Sequence, residues 1–290
     1  MTDNADPSTG AQFARHDDRP VSASAATRLR ALDRNPLVLA NAWDAASAVA
    51  IARAGATAIA TTSAGIAWSL GLPDGHHISR AEMISAARRI IEAVDLPVTV
   101  DIENGYGPDA DDVAETVEQI VRAGAAGINL EDSRSADQPL HTPAEQATRI
   151  RAARAAADRV GAPDLLINAR TDVYFNRERL KADPFAEVLE RAETYAAAGA
   201  DCLFVPGLLD LSTLEQFTAA APLPINVMTG PAGPSVAQLI EAGVHRISLG
   251  PALHLAAYAA VHHAATEFLT AGTYNTFTDA TPIAAAIMRS

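Results

Sequence analysis

The stretch VTVDIENGYG, residues 98–107, joins an apolar β-type run to two acids and a turn bracketed by glycines. Asp101 and Glu103 are two residues apart, so on an extended strand their side chains point to the same side. Two adjacent carboxylates repel each other at neutral pH, and a bound cation or a shared proton relieves that repulsion. Gly105 and Gly107 allow a sharp turn and a close approach of the backbone to a ligand. The stretch therefore predicts a strand that ends in a binding site, and solvated acids at a strand end are the alternative.

The pattern around this stretch repeats along the chain. Short runs rich in Val, Ile, Leu or Ala alternate with polar turns and Ala-rich helical segments, several of which end in Ala-Gly-Ala or Ala-Gly-Val. A glycine there supplies the left-handed cap that ends a helix before the next strand. The predicted strands are Leu37–Ala40, Ala58–Thr61, Val98–Asp101, Gly127–Leu130, Leu165–Ala169, Cys202–Val205, Ile225–Val227 and Arg246–Leu249. Such a series of βα units predicts an α/β fold, a (β/α)8 TIM barrel. A doubly wound open sheet is the alternative, but no Gly-x-Gly-x-x-Gly motif follows the first strand.

Composition narrows the class of protein. The chain has 290 residues, 49% of them hydrophobic, which is enough for a large core. Its net charge of −13 disfavours nucleic acid and anionic membranes as partners, but it leaves small anionic substrates open. The single cysteine, Cys202, cannot form an intramolecular disulfide and is expected in the barrel wall. Without a membrane-spanning run or a secretory signal in Met1–Thr9, we expect a cytoplasmic protein. We predict a disordered tail over residues 1–20 and one barrel domain over residues 21–290.

Acidic side chains recur where the predicted strands end. In a barrel these positions share one rim, where the active sites of this fold lie. Asp101 and Glu103 follow the third strand, Glu131 and Asp132 the fourth, and Asp172 the fifth. Hard oxygen ligands suit Mg²⁺ or Mn²⁺, with waters completing the coordination sphere. The sequence therefore predicts a Mg²⁺ site, Mn²⁺ being possible, that includes Asp101, Glu103 and Glu131.

Other residues at this rim have two interpretations each. Arg170 either forms a structural ion pair with Asp172 or Glu131, or binds a substrate carboxylate or a developing enolate. The small-residue turn of Thr62, Ser63, Ala64 and Gly65 either is a simple connection or offers its backbone N–H groups to a carboxylate. Asn226, in the seventh strand, is predicted to point to the same rim and to reach the substrate. Together these residues predict a site for a small 2-oxo or 2-hydroxy carboxylate.

Five segments in this order resemble the isocitrate lyase/phosphoenolpyruvate mutase superfamily. They are the turn after the second strand, Gly71–Asp74, Asp101–Gly107, Asn129–Asp132 and Ala169–Asp172, and the resemblance runs over residues 36–251. It implies a barrel enzyme that depends on Mg²⁺ and acts on small 2-oxo or 2-hydroxy acids. Reactions of this superfamily make or break C–C or P–C bonds through an enolate-like intermediate.

The resemblance also implies roles for single residues. By position Asp101 would bind the metal directly, and Asp74, Glu103 and Glu131 would hold metal-bound waters or complete its shell. The amides of residues 62–65 would bind the substrate carboxylate, and Arg170 would stabilise the oxyanion. Members of the superfamily commonly form tetramers, as dimers of dimers, with a C-terminal helix exchanged between subunits. In this chain that helix would span Pro251 to Phe268.

The loop after the fourth strand departs from the superfamily pattern. Lyases carry a Lys-Lys-Cys-Gly-His motif or a close relative there, whose Cys is the acid/base, and mutases carry a Lys and an Asn. Here the loop reads SRSADQPLHT, residues 133–142, with no Cys, Lys or Asn. The candidate proton donors are then His141, Asp137 and Tyr106, of which His141 ordinarily titrates near neutrality.

Three functions remain open at this level. The first is a Mg²⁺-dependent lyase that cleaves a C–C bond, decarboxylation of an oxaloacetate-like 2-oxo diacid included. The second is P–C chemistry of the phosphonopyruvate hydrolase or phosphoenolpyruvate mutase type, against which the missing Lys and Asn argue. The third is a barrel that binds a 2-oxo acid without turning it over. Outside these functions, His76 and His77 are interpreted as loop surface and Asp44 as a helix cap.

Overall fold

A computed structural model of the chain describes residues 21–134, 138–176, 178, 183–277 and 281–288. The predicted tail, residues 1–20, and the candidate proton donor Asp137 lie outside the described residues. Among the helices of the described part, none is both long and apolar enough to cross a membrane.

Eight parallel strands close into a barrel in sequence order, which confirms the predicted fold and rules out the open sheet. The first and last strands pair with Leu37 opposite Arg246, and this pairing closes the ring. The strands are β1 Leu37–Ala42, β2 Ile59–Thr61, β3 Val98–Asp101, β4 Gly127–Glu131, β5 Leu166–Arg170, β6 Cys202–Phe204, β7 Ile225–Met228 and β8 Arg246–Ser248. Their ends differ from the predicted ones by up to two residues.

Helices follow the strands and surround the barrel. They are α1 Val21–Leu32, α2 Ala45–Arg53, α3 Ser63–Ser69, α4 Arg80–Glu92, α5 Ala110–Arg122, α6 Pro143–Arg159, α7 Pro184–Ala197, α8 Leu211–Ala220, α9 Val236–Glu241, α10 Ala252–Ala271 and α11 Thr281–Ile287. Asp44 caps α2, as predicted, since its carboxylate accepts a hydrogen bond from the Ser47 N–H at 2.6 Å. Helix α3 was not predicted, because a seven-residue helix rich in small side chains has little periodicity.

The core lies between the barrel and its helices. In α5, for example, Val113, Val117, Ile120 and Val121 are fully or almost fully buried. Their spacing places them on one face of the helix, and burying each such side chain contributes about 1.5–3 kcal/mol. At the opposite end of the barrel from the predicted site, Leu29 of α1 packs with the first residues of the strands, including Leu37. The barrel is thus closed at its amino-terminal end and open only at the predicted rim.

Helix α10 is the exception to this burial. Among the described residues it has one buried side chain, His254, although most of its residues are apolar. Leu255, Val261 and Leu269 are 53%, 64% and 79% exposed in the single chain. The predicted helix of residues 251–268 is therefore present, while its exchange between subunits remains a prediction.

Candidate active site

The carboxyl ends of the strands enclose a cavity of about 450 Å³, called here the main cavity. Five carboxylates line it, from Asp74, Asp101, Glu103, Glu131 and Asp172. Arg170, His76 and the turn at Thr62, Ser63 and Ala64 also line it. The fold thus brings together the four predicted metal residues, the predicted arginine and three of the four predicted turn residues.

Asp101 is the last residue of β3 and is 8% exposed. Its Oδ2 accepts hydrogen bonds from the Ser63 hydroxyl at 2.9 Å and from the Ser63 N–H at 3.4 Å. Its Oδ1 accepts a hydrogen bond from the Glu103 N–H at 3.2 Å. Each carboxylate oxygen has two lone pairs, so Oδ1, which accepts one hydrogen bond, retains capacity for a further ligand.

Glu103 does not continue the strand, so the predicted strand geometry of the acid pair is wrong. The strand ends at Asp101, and Glu103 has a left-handed φ of +48°. The chain turns there because Gly105, at φ +88°, donates its N–H to the Ile102 carbonyl at 2.8 Å. A Cβ at residue 105 would lie 2.7 Å from Val113 Cγ2, so only glycine fits this turn.

The Glu103 carboxylate is buried, and neither of its oxygens has a hydrogen-bond partner among the described residues. Burial, followed by the negative charge of Asp101, raises the pKa of Glu103 to about 8. An unpartnered buried carboxylate beside a second carboxylate is costly, and a cation relieves that cost.

Arg170 forms the ion pair that is one of the two interpretations of its sequence position, while its contact with substrate stays a prediction. Its guanidinium pairs with Glu131 at 2.9 Å and, through two nitrogens, with Asp172 at 2.6 and 3.0 Å. Burial alone lowers the pKa of Arg170, but Asp172 and Glu131 raise it well above its ordinary value, so the charge is permanent. The structural ion pair therefore exists, and it holds the guanidinium at the wall of the main cavity.

His76 corrects an interpretation made from the sequence. It was assigned to the loop surface, but its Nε2 lies 2.8 Å from Glu131 Oε1 and the ring faces the main cavity. Burial alone lowers the pKa of His76, but the hydrogen bond with Glu131 raises it above its ordinary value. The contact joins residues 55 positions apart, so no local pattern could have revealed it. His77 is exposed, as expected.

The turn at residues 62–65 is the start of α3, and Thr62 is its N-cap. The Gly65 N–H points to the Thr62 hydroxyl at 3.4 Å, and the Ser63 N–H points to Asp101. A Cβ on Gly65 would lie 2.8 Å from Thr62 Cγ2, so this glycine allows the turn to pack closely. Two of the predicted carboxylate-binding amides thus already have partners within the protein.

Asn226 differs from its predicted position at the rim. It is 1% exposed and does not line the main cavity. Its Oδ1 accepts a hydrogen bond from the Asn168 side chain at 2.8 Å, and its Nδ2 donates to the Arg246 carbonyl at 3.0 Å. Strand alternation predicts which face of the barrel a residue occupies but not how deep in the barrel it lies. Asn226 therefore faces the interior as predicted, but it lies below the rim, bonded to Asn168 and Arg246.

A second cavity of about 410 Å³, called here the side cavity, adjoins the main cavity and shares His76 and Gln138 with it. Tyr106 and His141, both predicted as catalytic, line the side cavity rather than the main one. Cys202, in contrast, is fully buried in the barrel wall, where burial raises its pKa to about 12.

The surroundings of His141 shift its pKa away from neutrality, where its residue type ordinarily titrates. Burial, followed by the positive charges of Arg149 and Arg134, lowers its pKa to about 4. Its Nδ1 lies 3.9 Å from Glu145, too far for a hydrogen bond. His141 therefore has no proton to donate from an imidazolium at neutral pH.

This low pKa predicts a pH-dependent stability. Below pH 6.5 the unfolded chain takes up a proton at His141 that the folded protein does not, so the free energy of unfolding falls towards pH 4. Between pH 7 and pH 5 the free energy of unfolding of the His141→Gln variant should fall by about 1–2 kcal/mol less than that of the parent. Urea unfolding at the two pH values measures this difference, with His77→Gln in the exposed loop as the matched control. Equal pH dependence in the parent and His141→Gln contradicts the prediction.

The main cavity meets the requirements of a hard divalent cation. Its donors are carboxylate oxygens, and the buried Glu103 carboxylate lacks any partner among the described residues. Within the described ranges, no group of three or more His, Cys, Asp or Glu side chains is arranged to hold an ion alone.

Comparison with known proteins places this barrel with its acidic rim in a class of lyases and mutases. The family model for phosphoenolpyruvate phosphomutase matches residues 29–269. The chain therefore belongs to the isocitrate lyase/phosphoenolpyruvate mutase superfamily, as its motifs indicated.

Three relatives illustrate the range of this superfamily. The 2-methylisocitrate lyase of Escherichia coli K12 is 35% identical over 212 residues, which are 70% of this chain and 69% of that protein. The oxaloacetate decarboxylase of Rhodopseudomonas palustris BisB18 is 37% identical over 166 residues, 56% of this chain and 54% of that protein. A phosphonomutase-like crystal structure from Burkholderia cenocepacia J2315 has 46% identity and a TM-score of 0.80, covering 85% of this chain and 99% of that one.

Proposed function

We propose that this protein is a divalent-metal-dependent carbon–carbon lyase that acts on a small 2-oxo or 2-hydroxy carboxylate. The observation that carries the proposal is the buried, unpartnered carboxylate of Glu103 beside Asp101, facing the permanently charged Arg170 across one cavity. The relatives named for 2-methylisocitrate and oxaloacetate chemistry support the same class of reaction.

The metal would be held by the residues that the sequence predicted. Asp101 would bind Mg²⁺ directly, and Glu103, Glu131 and Asp74 would hold its waters. When bound, the ion supplies Lewis-acid polarisation of the substrate's 2-oxo group. Arg170, fixed by Glu131 and Asp172, would donate hydrogen bonds to the oxygen on which negative charge develops.

Decarboxylation is the candidate reaction that requires neither Tyr106 nor His141, which line the side cavity. Cleavage of a 2-hydroxy acid needs a base to remove the hydroxyl proton before the C–C bond breaks. Decarboxylation needs no such base. The C–C bond breaks, CO₂ leaves, and the electron pair of the broken bond forms an enolate, which then takes a proton from water. The described residues of the main cavity do not include the predicted Tyr106 and His141, so their catalytic role stays a prediction.

We further propose a homo-oligomer, a dimer of dimers, as the working form. The exposed apolar side chains of α10 are the interface that such an assembly would cover.

A turnover screen with and without Mg²⁺ tests the proposed activity. The substrates are oxaloacetate, 2-methylisocitrate, isocitrate, 2,3-dimethylmalate and phosphonopyruvate. The products measured are pyruvate, CO₂, other 2-oxo acids and phosphate. We expect metal-dependent CO₂ release from oxaloacetate. Turnover of phosphonopyruvate alone points to P–C chemistry, and tight binding without any turnover supports a binding protein; either outcome overturns the proposal.

A further inference from the structure

The side cavity has the opposite charge to the main cavity. Arg80 and Arg134 line it, and no Asp or Glu does so among the described residues. Five carboxylates line the main cavity, where Arg170 is the one arginine of the described lining. The two cavities share His76 and Gln138 in their linings, so they lie side by side. A cavity with this lining favours an anion.

Tyr106 supplies a second and independent observation. Its hydroxyl is buried and has no hydrogen-bond partner among the described residues. The backbone of Tyr106 is fixed, since its N–H donates to Asn104 Oδ1 at 3.1 Å and its carbonyl accepts from Arg80 at 3.2 Å. A buried hydroxyl without a partner is unfavourable, so an acceptor from a ligand is the expected partner.

Arg134 offers a further free donor beside this hydroxyl. One of its terminal nitrogens pairs with Glu145 at 2.7 Å, while its Nε is buried without a partner among the described residues. The nearby His141 is held neutral partly by the positive charge of Arg134 and Arg149. An anion in the side cavity would therefore find two donors already in place, the Arg134 Nε–H and the Tyr106 hydroxyl.

We propose that the side cavity is an anion subsite, in which Tyr106 and Arg134 bind a carboxylate at the far end of the substrate. The inference rests on the proposed function, which places the 2-oxo end of the substrate in the main cavity. The substrate is then a 2-oxo or 2-hydroxy acid with a second carboxylate.

Calorimetric binding to the full-length protein in Mg²⁺ tests the subsite with three probes. Oxalate spans the metal end only, while 2-oxoglutarate and 2-oxopentanoate share a head and chain length but differ in the terminal carboxylate. We expect the parent to bind 2-oxoglutarate about tenfold more tightly than 2-oxopentanoate, as hydrogen bonds to a charged group imply. Tyr106→Phe and Arg134→Met should each reduce this preference at least threefold and leave oxalate binding within twofold.

The matched control is Arg151→Met, an arginine on α6 whose described side-chain contact is with Thr148 at the surface. It should leave all three affinities unchanged. An unaltered preference in both test variants, or an equal loss of oxalate and 2-oxoglutarate binding, overturns the subsite while the metal site stands. If oxalate shows no Mg²⁺-dependent binding to the parent, the proposed function fails and the subsite with it.

Discussion

Asp101→Asn is expected to lower metal-dependent turnover about a thousandfold or more while the barrel stays folded. The amide keeps the size, its Oδ1 can accept from the Glu103 N–H and its Nδ2 can donate to the Ser63 hydroxyl, but the charge that would bind the cation directly is removed. Polarisation by a metal contributes several kcal/mol to transition-state stabilisation, and each 1.36 kcal/mol is about a factor of ten in rate. Steady-state rates over a Mg²⁺ titration measure the loss, and a thermal unfolding curve confirms the fold.

The matched control for Asp101 is Asp44→Ala, an acid that follows β1 at the same end of the barrel. Asp44 caps α2 and does not line the main cavity. Its replacement should lower the free energy of unfolding by about 1 kcal/mol and leave the Mg²⁺ dependence of turnover unchanged. Turnover by Asp101→Asn within threefold of the parent, at the same Mg²⁺ concentration, contradicts a direct role for Asp101 at the metal.

The barrel itself could be predicted because its signals are local and repeated. Alternation of apolar runs with Ala-rich helices, and glycine at the helix ends, depends on residues close in sequence. In a barrel the strands follow one another in sequence order. This order places Asp101, Glu131 and Arg170 at one rim, and no side-chain contact needs to be known to predict it. These three residues were therefore predicted with the fold.

The features that the sequence did not predict depend on contacts between distant segments or on how deep a residue lies in the barrel. The partner of His76 lies in β4, and the short helix α3 places Ser63 against Asp101. The backbone at Glu103 has a left-handed conformation, so its side chain leaves the alternation of the strand. A prediction from strand alternation assumes an extended backbone and therefore misses this change. The neutral state of His141 depends on its burial and on Arg134 and Arg149, not on its own residue type.

The largest stability effect is expected at Asp132, which the sequence places at the rim but the structure buries completely. Its Oδ2 accepts hydrogen bonds from Arg191 and from the Tyr195 hydroxyl, each at 2.9 Å. Its Oδ1 accepts the Asp172 N–H at 3.0 Å. Asp132 therefore ties β4 to α7 and to the residue that holds Arg170.

Arg191→Met is expected to reduce the free energy of unfolding by about 3–5 kcal/mol, because it leaves a buried carboxylate without its counter-charge. The deficit should shrink as the pH falls, since burial already raises the pKa of Asp132 and a proton can then replace the missing cation. Urea unfolding at pH 5 and pH 8 measures both effects. The control is Arg122→Met, whose surface pair with Glu118 is worth less than about 1 kcal/mol.

A second variant separates loss of charge from loss of packing at this position. In Arg191→Met/Asp132→Asn neither charge of the buried pair remains, so the double variant should regain part of the stability lost by Arg191→Met alone. Equal stability of the single and double variants would show that Arg191 acts by filling space. Recovery of stability, together with a kcat still below that of the parent, would show that the buried pair also positions Asp172, and through it Arg170, for the reaction.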